Sequence, residues 1–199
     1  MANSRTHIGD MTGLRLDAAA LKVLAHPLRS RLLSALRVDG PATATDLATR
    51  LKTNSGATSY HLRKLESVGL VADTGDGEGK RRLWKAATDF HTWDASDFAG
   101  DEDSETALNW LARDYVRHFS TQAERWVDAS PTWPTAWQDA CGSSDDMVLL
   151  TAEQLSAMRD EIGDVVARYR RVGQGNPEAK RIAVYLFAYA LDLENAPAR

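Results

Sequence analysis

The sequence predicts a mainly helical α+β chain with small β elements, organised in two halves. Three observations predict it. Apolar residues recur at spacings of three and four through much of the chain, the period of an amphipathic helix. Two short apolar runs, at residues 70–72 and 83–86, flank a Gly-rich turn in the manner of a hairpin. Between Thr88 and Ala107 lie seven acids and no Lys or Arg, a composition break that marks a boundary. The expected units are residues 14–87, an acidic linker at 88–103, and a C-terminal α+β half at 104–199.

With 43% hydrophobic and 26% charged residues, the 199-residue chain has ordinary globular composition and length enough for a packed core. No apolar run approaches the roughly 20 residues of a membrane span. The first residues lack an apolar signal region, and the single cysteine, Cys141, suits a reducing cytosol, so a cytoplasmic location is expected. The net charge of −4 hides an asymmetry: residues 15–85 carry 13 Lys+Arg against 7 Asp+Glu. A basic module joined to an acidic one points to a polyanion partner for the first only.

Each element of the basic module has its own signal. Leu16, Ala20, Leu21 and Leu24 share one face of a helix that ends before His26-Pro27. Pro27 suits the first position of a second helix, where its missing N–H costs nothing. That helix turns Leu28, Leu32, Leu33 and Leu36 inward and stops at Asp39-Gly40-Pro41. Thr43 or Thr45 caps a third helix that buries Leu47, Ala48 and Leu51. After the turn-rich "KTNSG", a fourth helix starts near Ser55, with Thr58, Leu62, Leu65 and Val68 on one stripe. Gly69 stops it where a left-handed residue is wanted. Leu70–Ala72 and Leu83–Ala86 then flank "TGDGEGKRR". Three helices, a longer helix, then a hairpin with a basic tip is the order of a winged helix-turn-helix. There the last helix enters the major groove and the wing lies along the adjoining backbone.

The segments "LKVLAHPLRSRLLSALR", "TATDLATRL", "TSYHLRKLESVGLV" and "GKRRLWKA" resemble the ArsR-type winged helix-turn-helix regulators of bacteria, over roughly Leu16 to Ala87. The string His61 to Val71 is the most specific part. The resemblance implies a homodimer on a two-fold-symmetric operator. The residues assign the contacts: Thr43, Thr45, Ser55, Lys80, Arg81 and Arg82 to phosphates, and Ser59, Tyr60 and Arg63 to base edges, with Lys64 reaching either. Thr58 and His61 complete the candidate DNA-binding set, and His61 serves equally as a half-buried packing residue.

Many ArsR-type proteins sense metals through Cys and His clusters, and here the sequence departs. The helix "TDLATRL" has no Cys, and the five histidines show no paired ligand spacing. No metal and no cofactor is expected. Nor does any phosphate loop, nucleophile elbow or HExxH motif suggest an enzyme.

In the C-terminal half, Asp103 or Ser104 caps a long helix with Leu108, Leu111, Tyr115, Phe119, Trp126 and Val127 near one face. Thr151 and Gln154 form a capping box before a further helix reaching about Tyr169. "KRIAVYLFAYALDL" reads as a strand pairing with "DMVLL", or else as a helix; as a strand it must be covered on both faces. Leu16 and Leu21 of the first helix, with Leu108, Leu111, Tyr115 and Phe119 of the long one, are the expected dimer surface. Trp110, Trp126, Trp133 and Trp137 line a candidate pocket for a small organic effector, or else belong to core and dimer surface. The function expected is a non-metal-sensing, homodimeric regulator of transcription that binds double-stranded DNA. Its competitor is a winged helix whose basic wing binds an acidic protein.

Overall fold

A computed structural model describes residues 4–8, 11–77, 79 and 81–197. The chain opens with two strands, β1 (Ser4–Ile8) and β2 (Met11–Arg15), paired antiparallel. The helices follow as anticipated: α1 (Ala18–Leu24), α2 (Pro27–Asp39), α3 (Ala44–Arg50) and α4 (Ser55–Glu66). A two-residue strand, β3 (Ala42–Thr43), precedes α3, and the wing is β4 (Val71–Asp73) with β5 (Leu83–Ala86). These three form one sheet in the order β3-β5-β4.

Local chemistry sets the ends. Asp17 accepts from Ala20 N at 2.8 Å to cap α1, and Pro27 opens α2 as its first residue. Thr43 rather than Thr45 caps α3, through a reciprocal capping box with Asp46. Asn54, unremarked in the sequence, caps α4 by accepting from Ala57 N at 2.7 Å. Gly69 has φ +74°, the left-handed turn that ends the α4 segment. The four helices close over Leu16, Leu21, Leu24, Leu32, Leu33, Leu47, Leu62 and Leu65, all buried, with Trp84 of the wing beneath.

The acidic stretch is not a free linker. It forms β6 (Phe90–Thr92), parallel to β2, and a 3-10 turn at Ala95–Phe98 that buries Phe98 in the N-terminal core. Its acids answer cations of the basic module: Asp94 and Asp97 hold Arg15 at 2.6 and 2.7 Å, and Asp101 holds Lys22 at 3.0 Å. The long helix α5 (Glu102–Ala129) has Asp101 at its N-cap position, earlier than Asp103 or Ser104 and without a side-chain capping bond, and its Leu111 is wholly buried against α1 and the rest of that core. The N-terminal unit therefore reaches through the first half of α5.

A short helix α6 (Thr135–Ala140) and α7 (Ala152–Tyr169) follow, the latter with the expected Thr151–Gln154 capping box. The expected strand at 180–193 is absent, as is its pairing with residues 146–150; both runs carry no regular secondary structure. Ile182, Val184, Phe187, Tyr189 and Leu193 stand exposed, as do Met147, Val148 and Leu149. An all-apolar strand needs cover on both faces, and the side chains named stand largely in solvent.

Gly13 is a close-approach site: a Cβ there would enter the ring of Phe90, its partner across the β2–β6 ladder. Gly13→Val is expected to cost about 1–3 kcal/mol in urea unfolding, since the ring or strand must shift to admit it.

Candidate nucleic-acid interface

Helix α4 turns one face to the core and one to solvent. Leu62 and Leu65 are fully buried, and so is Thr58, whose hydroxyl donates to Asn54 O at 2.9 Å. Thr58 therefore leaves the DNA-contact set; a residue on the buried stripe cannot also reach a groove. On the outer face stand Ser55, Tyr60, Arg63 and Lys64, all exposed, with Ser59 half-buried beside them. The Lys64 ammonium lies 5.8 Å from the centre of the Tyr60 ring, a cation–π contact that presents both as one patch.

His61 is half-buried. Its ring lies 4.5 Å from that of His26 and 5.1 Å from that of Tyr60, and its Nδ1 is buried. Burial first, then the neighbouring His26 and Arg29, hold its pKa below the ordinary histidine value. Its ring packs on that of His26 beneath the helix.

The wing divides its cations. Arg82 folds back to within 3.5 Å of both Glu66 and Asp73 and over the Trp84 ring at 5.6 Å. It braces the hairpin against α4. Arg81 is exposed, and among the described residues no acid lies within ion-pair distance of it; the same holds for Arg63 and Lys64. Lys80 lies outside the described residues. Thr43 gives its hydroxyl proton to Asp46 at 2.7 Å, which removes it as a donor, while Thr45 is exposed. Sequence reasoning passed over Lys52, an exposed cation at φ +53° in the corner between α3 and α4. Its place in "KTNSG" was the available signal.

Among the described residues no three His, Cys, Asp or Glu side chains come together as a metal-ligand group, and no helix is long and apolar enough to cross a membrane. The four tryptophans do not share a pocket. Trp126, Trp133 and Trp137 meet edge-on at 5.3 and 5.9 Å, but Trp110 packs on the N-terminal core. Sixteen residues of helix separate it from Trp126, roughly 24 Å at 1.5 Å per residue. Of the expected dimer residues, Leu16, Leu21 and Leu111 belong to the protomer core and Tyr115 is hydrogen-bonded to His91. Phe119 remains exposed.

Four packed helices, an exposed cationic face on the last of them and a hairpin braced beside it define a winged helix-turn-helix domain. Residues 24–74 match the family described as "Helix-turn-helix domain". The HTH-type transcriptional regulator NmtR of Mycobacterium tuberculosis (strain ATCC 25618 / H37Rv) is 41% identical over 63 residues, which are 32% of this chain and 50% of that protein. The chain thus spans about half the length of that curated relative. Reduced HlyU from Vibrio cholerae N16961, a solved structure, aligns with 49% of this chain and 85% of its own at 23% identity, with a TM-score of 0.32.

Proposed function

We propose that this protein is a regulator of transcription that binds a palindromic operator as a homodimer, without a metal. The observation that carries the reading is the unpaired cationic face of α4. Among the described residues no acid lies within ion-pair distance of Arg63 or Lys64 beside Tyr60, while the opposite face is locked into the core. Four other cations of the basic module are engaged internally: Arg15, Lys22, Arg50 and Arg82 all bind acids. Positive charge left open on one helix and one wing residue is what groove and phosphate contacts require. The NmtR likeness over 63 residues supports the same reading. Symmetric assembly is supported by exposed apolar side chains, among them Val116, Phe119 and Val127 on α5.

Arg63 is assigned to the edge of a guanine, whose O6 and N7 accept bidentately from arginine. Arg63→Ala is expected to lose about 1–3 kcal/mol of discrimination at one operator position in a binding-site selection. Arg81→Ala is expected to weaken binding to all sequences alike and to flatten the slope of log affinity against log salt by about one unit. Arg82→Ala should change that slope less, since its charge is held by Glu66 and Asp73. Gel shifts at varied salt measure both. Flat salt dependence of the unaltered protein would favour an acidic protein partner instead.

A further inference from the structure

Away from α4 and the wing tip, the fold holds a guanidinium without a counter-ion. Arg37, in the last turn of α2, donates from Nε to Thr88 O at 3.1 Å, from Nη1 to His91 Nδ1 at 2.8 Å, and from Nη2 to Thr88 Oγ1 at 3.4 Å. All three acceptors are neutral. Among the described residues no carboxylate lies within ion-pair distance of it. Burial pushes its pKa down to about 10, the mark of a cation withdrawn from water. Such a charge is costly to bury and is ordinarily matched by an anion.

The place for that anion adjoins it. A cavity of about 210 Å³ is walled by Arg37, Lys85, Arg170, Thr88 and Asp89, with Leu36 giving it an apolar side. Asp89 is already engaged: its Oδ1 accepts from Arg170 at 2.5 Å and its Oδ2 from Thr12 N at 3.0 Å. Three cations against one occupied acid leave the walls with a surplus of positive charge. The Lys85 side chain is exposed and unpaired among the described residues.

We propose that this cavity binds a small oxyanion, a carboxylate or phosphate group carried on a compact molecule. Arg37 has five N–H donors and uses three, so two remain for the ligand. Lys85 supplies the second charge and Leu36 contacts the apolar part. The walls come from α2, from β5 of the wing and from Arg170 just beyond α7, so an occupant ties the wing strand to the C-terminal half. The site is independent of whether α4 reads DNA.

The test is thermal melting and titration calorimetry of the full chain in chloride buffer at fixed ionic strength, with inorganic phosphate and acetate as probes. A saturable rise in Tm is expected with at least one probe, and which one responds identifies the group. Lys85→Ala and Arg170→Ala should each weaken the apparent Kd about tenfold or more, as loss of a charge-assisted bond does. Lys85→Ala should leave the unliganded Tm unchanged, which separates lost binding from lost folding. The proposal is overturned if neither probe gives saturable binding, or if both variants titrate like the unaltered protein. It is also overturned if Lys85→Ala flattens the salt dependence of DNA binding while free anions have no effect; the wall would then be a DNA-backbone contact.

Discussion

Leu111→Arg is expected to abolish folding, whereas Val116→Arg combined with Phe119→Arg is expected to give a folded monomer that has lost operator affinity. Leu111 is wholly buried between α5 and α1. An unpaired guanidinium there costs several kcal/mol, a large share of the roughly 5–15 kcal/mol that holds a domain together. Val116 and Phe119 lie one to two turns further along α5, at 43% and 40% exposure, where a charge meets water in the monomer. In a dimer the same charges would repel across the two-fold axis. A lone winged helix grips one half-site, so losing the second copy should reduce operator affinity roughly 100-fold or more. Circular dichroism tests folding and light scattering tests mass. A double variant that remained a dimer would move the axis to the exposed apolar segment at residues 182–193.

The N-terminal helices were legible because each carries its own boundary chemistry. Pro27, the Thr43–Asp46 box and Gly69 fix ends locally, and the Leu stripes fix faces. Strands β1 and β2 were not read from the sequence. They are short, and the third strand of their sheet, β6, arrives some 75 residues later, so no local window holds the pattern. The error at residues 180–193 is of another kind. β-branched and aromatic composition signals a preference for extended, half-buried backbone, but a strand also needs a partner edge and a cover. Among the described residues no strand pairs with that run.

The interface was legible where helical phase decides and illegible where pairing decides. Phase put Tyr60, Arg63 and Lys64 outside and Leu62 and Leu65 inside, and followed strictly it also excluded Thr58. No period shows that Arg82 turns back to Glu66 and Asp73, or that Asp94, Asp97 and Asp101 neutralise Arg15 and Lys22 across about 80 residues of sequence. Counting charges therefore overstated the cations available to a polyanion. It also gave no sign that Arg37 would be buried among neutral acceptors.

Lowering the pH from 7 towards 4 is expected to destabilise the protein partly through one residue, His91. Because arginine can only donate, the 2.8 Å bond from Arg37 makes His91 Nδ1 an acceptor and leaves the ring proton on Nε2, which donates to the Tyr115 hydroxyl. This neutral ring links α2 to α5 through β6. Burial, reinforced by the Arg37 charge, pushes its pKa down to about 3, far below the ordinary 6.5 of the unfolded chain. The unfolded state therefore takes up a proton that the folded state refuses. Stability from this group is full above about pH 6.5 and falls towards pH 3, by up to about 1.4 kcal/mol per pH unit. Carboxylates also titrate in that range, so the informative quantity is the stability difference between the unaltered protein and His91→Gln, from urea unfolding in chloride buffer. Glutamine can accept from Arg37 and donate to Tyr115 yet takes up no proton. The difference should be flat above pH 7 and shift steadily in favour of the variant as the pH falls from 6.5. A difference independent of pH would show that His91 is protonated in the folded state as readily as in the unfolded chain, and that Arg37 does not hold it neutral.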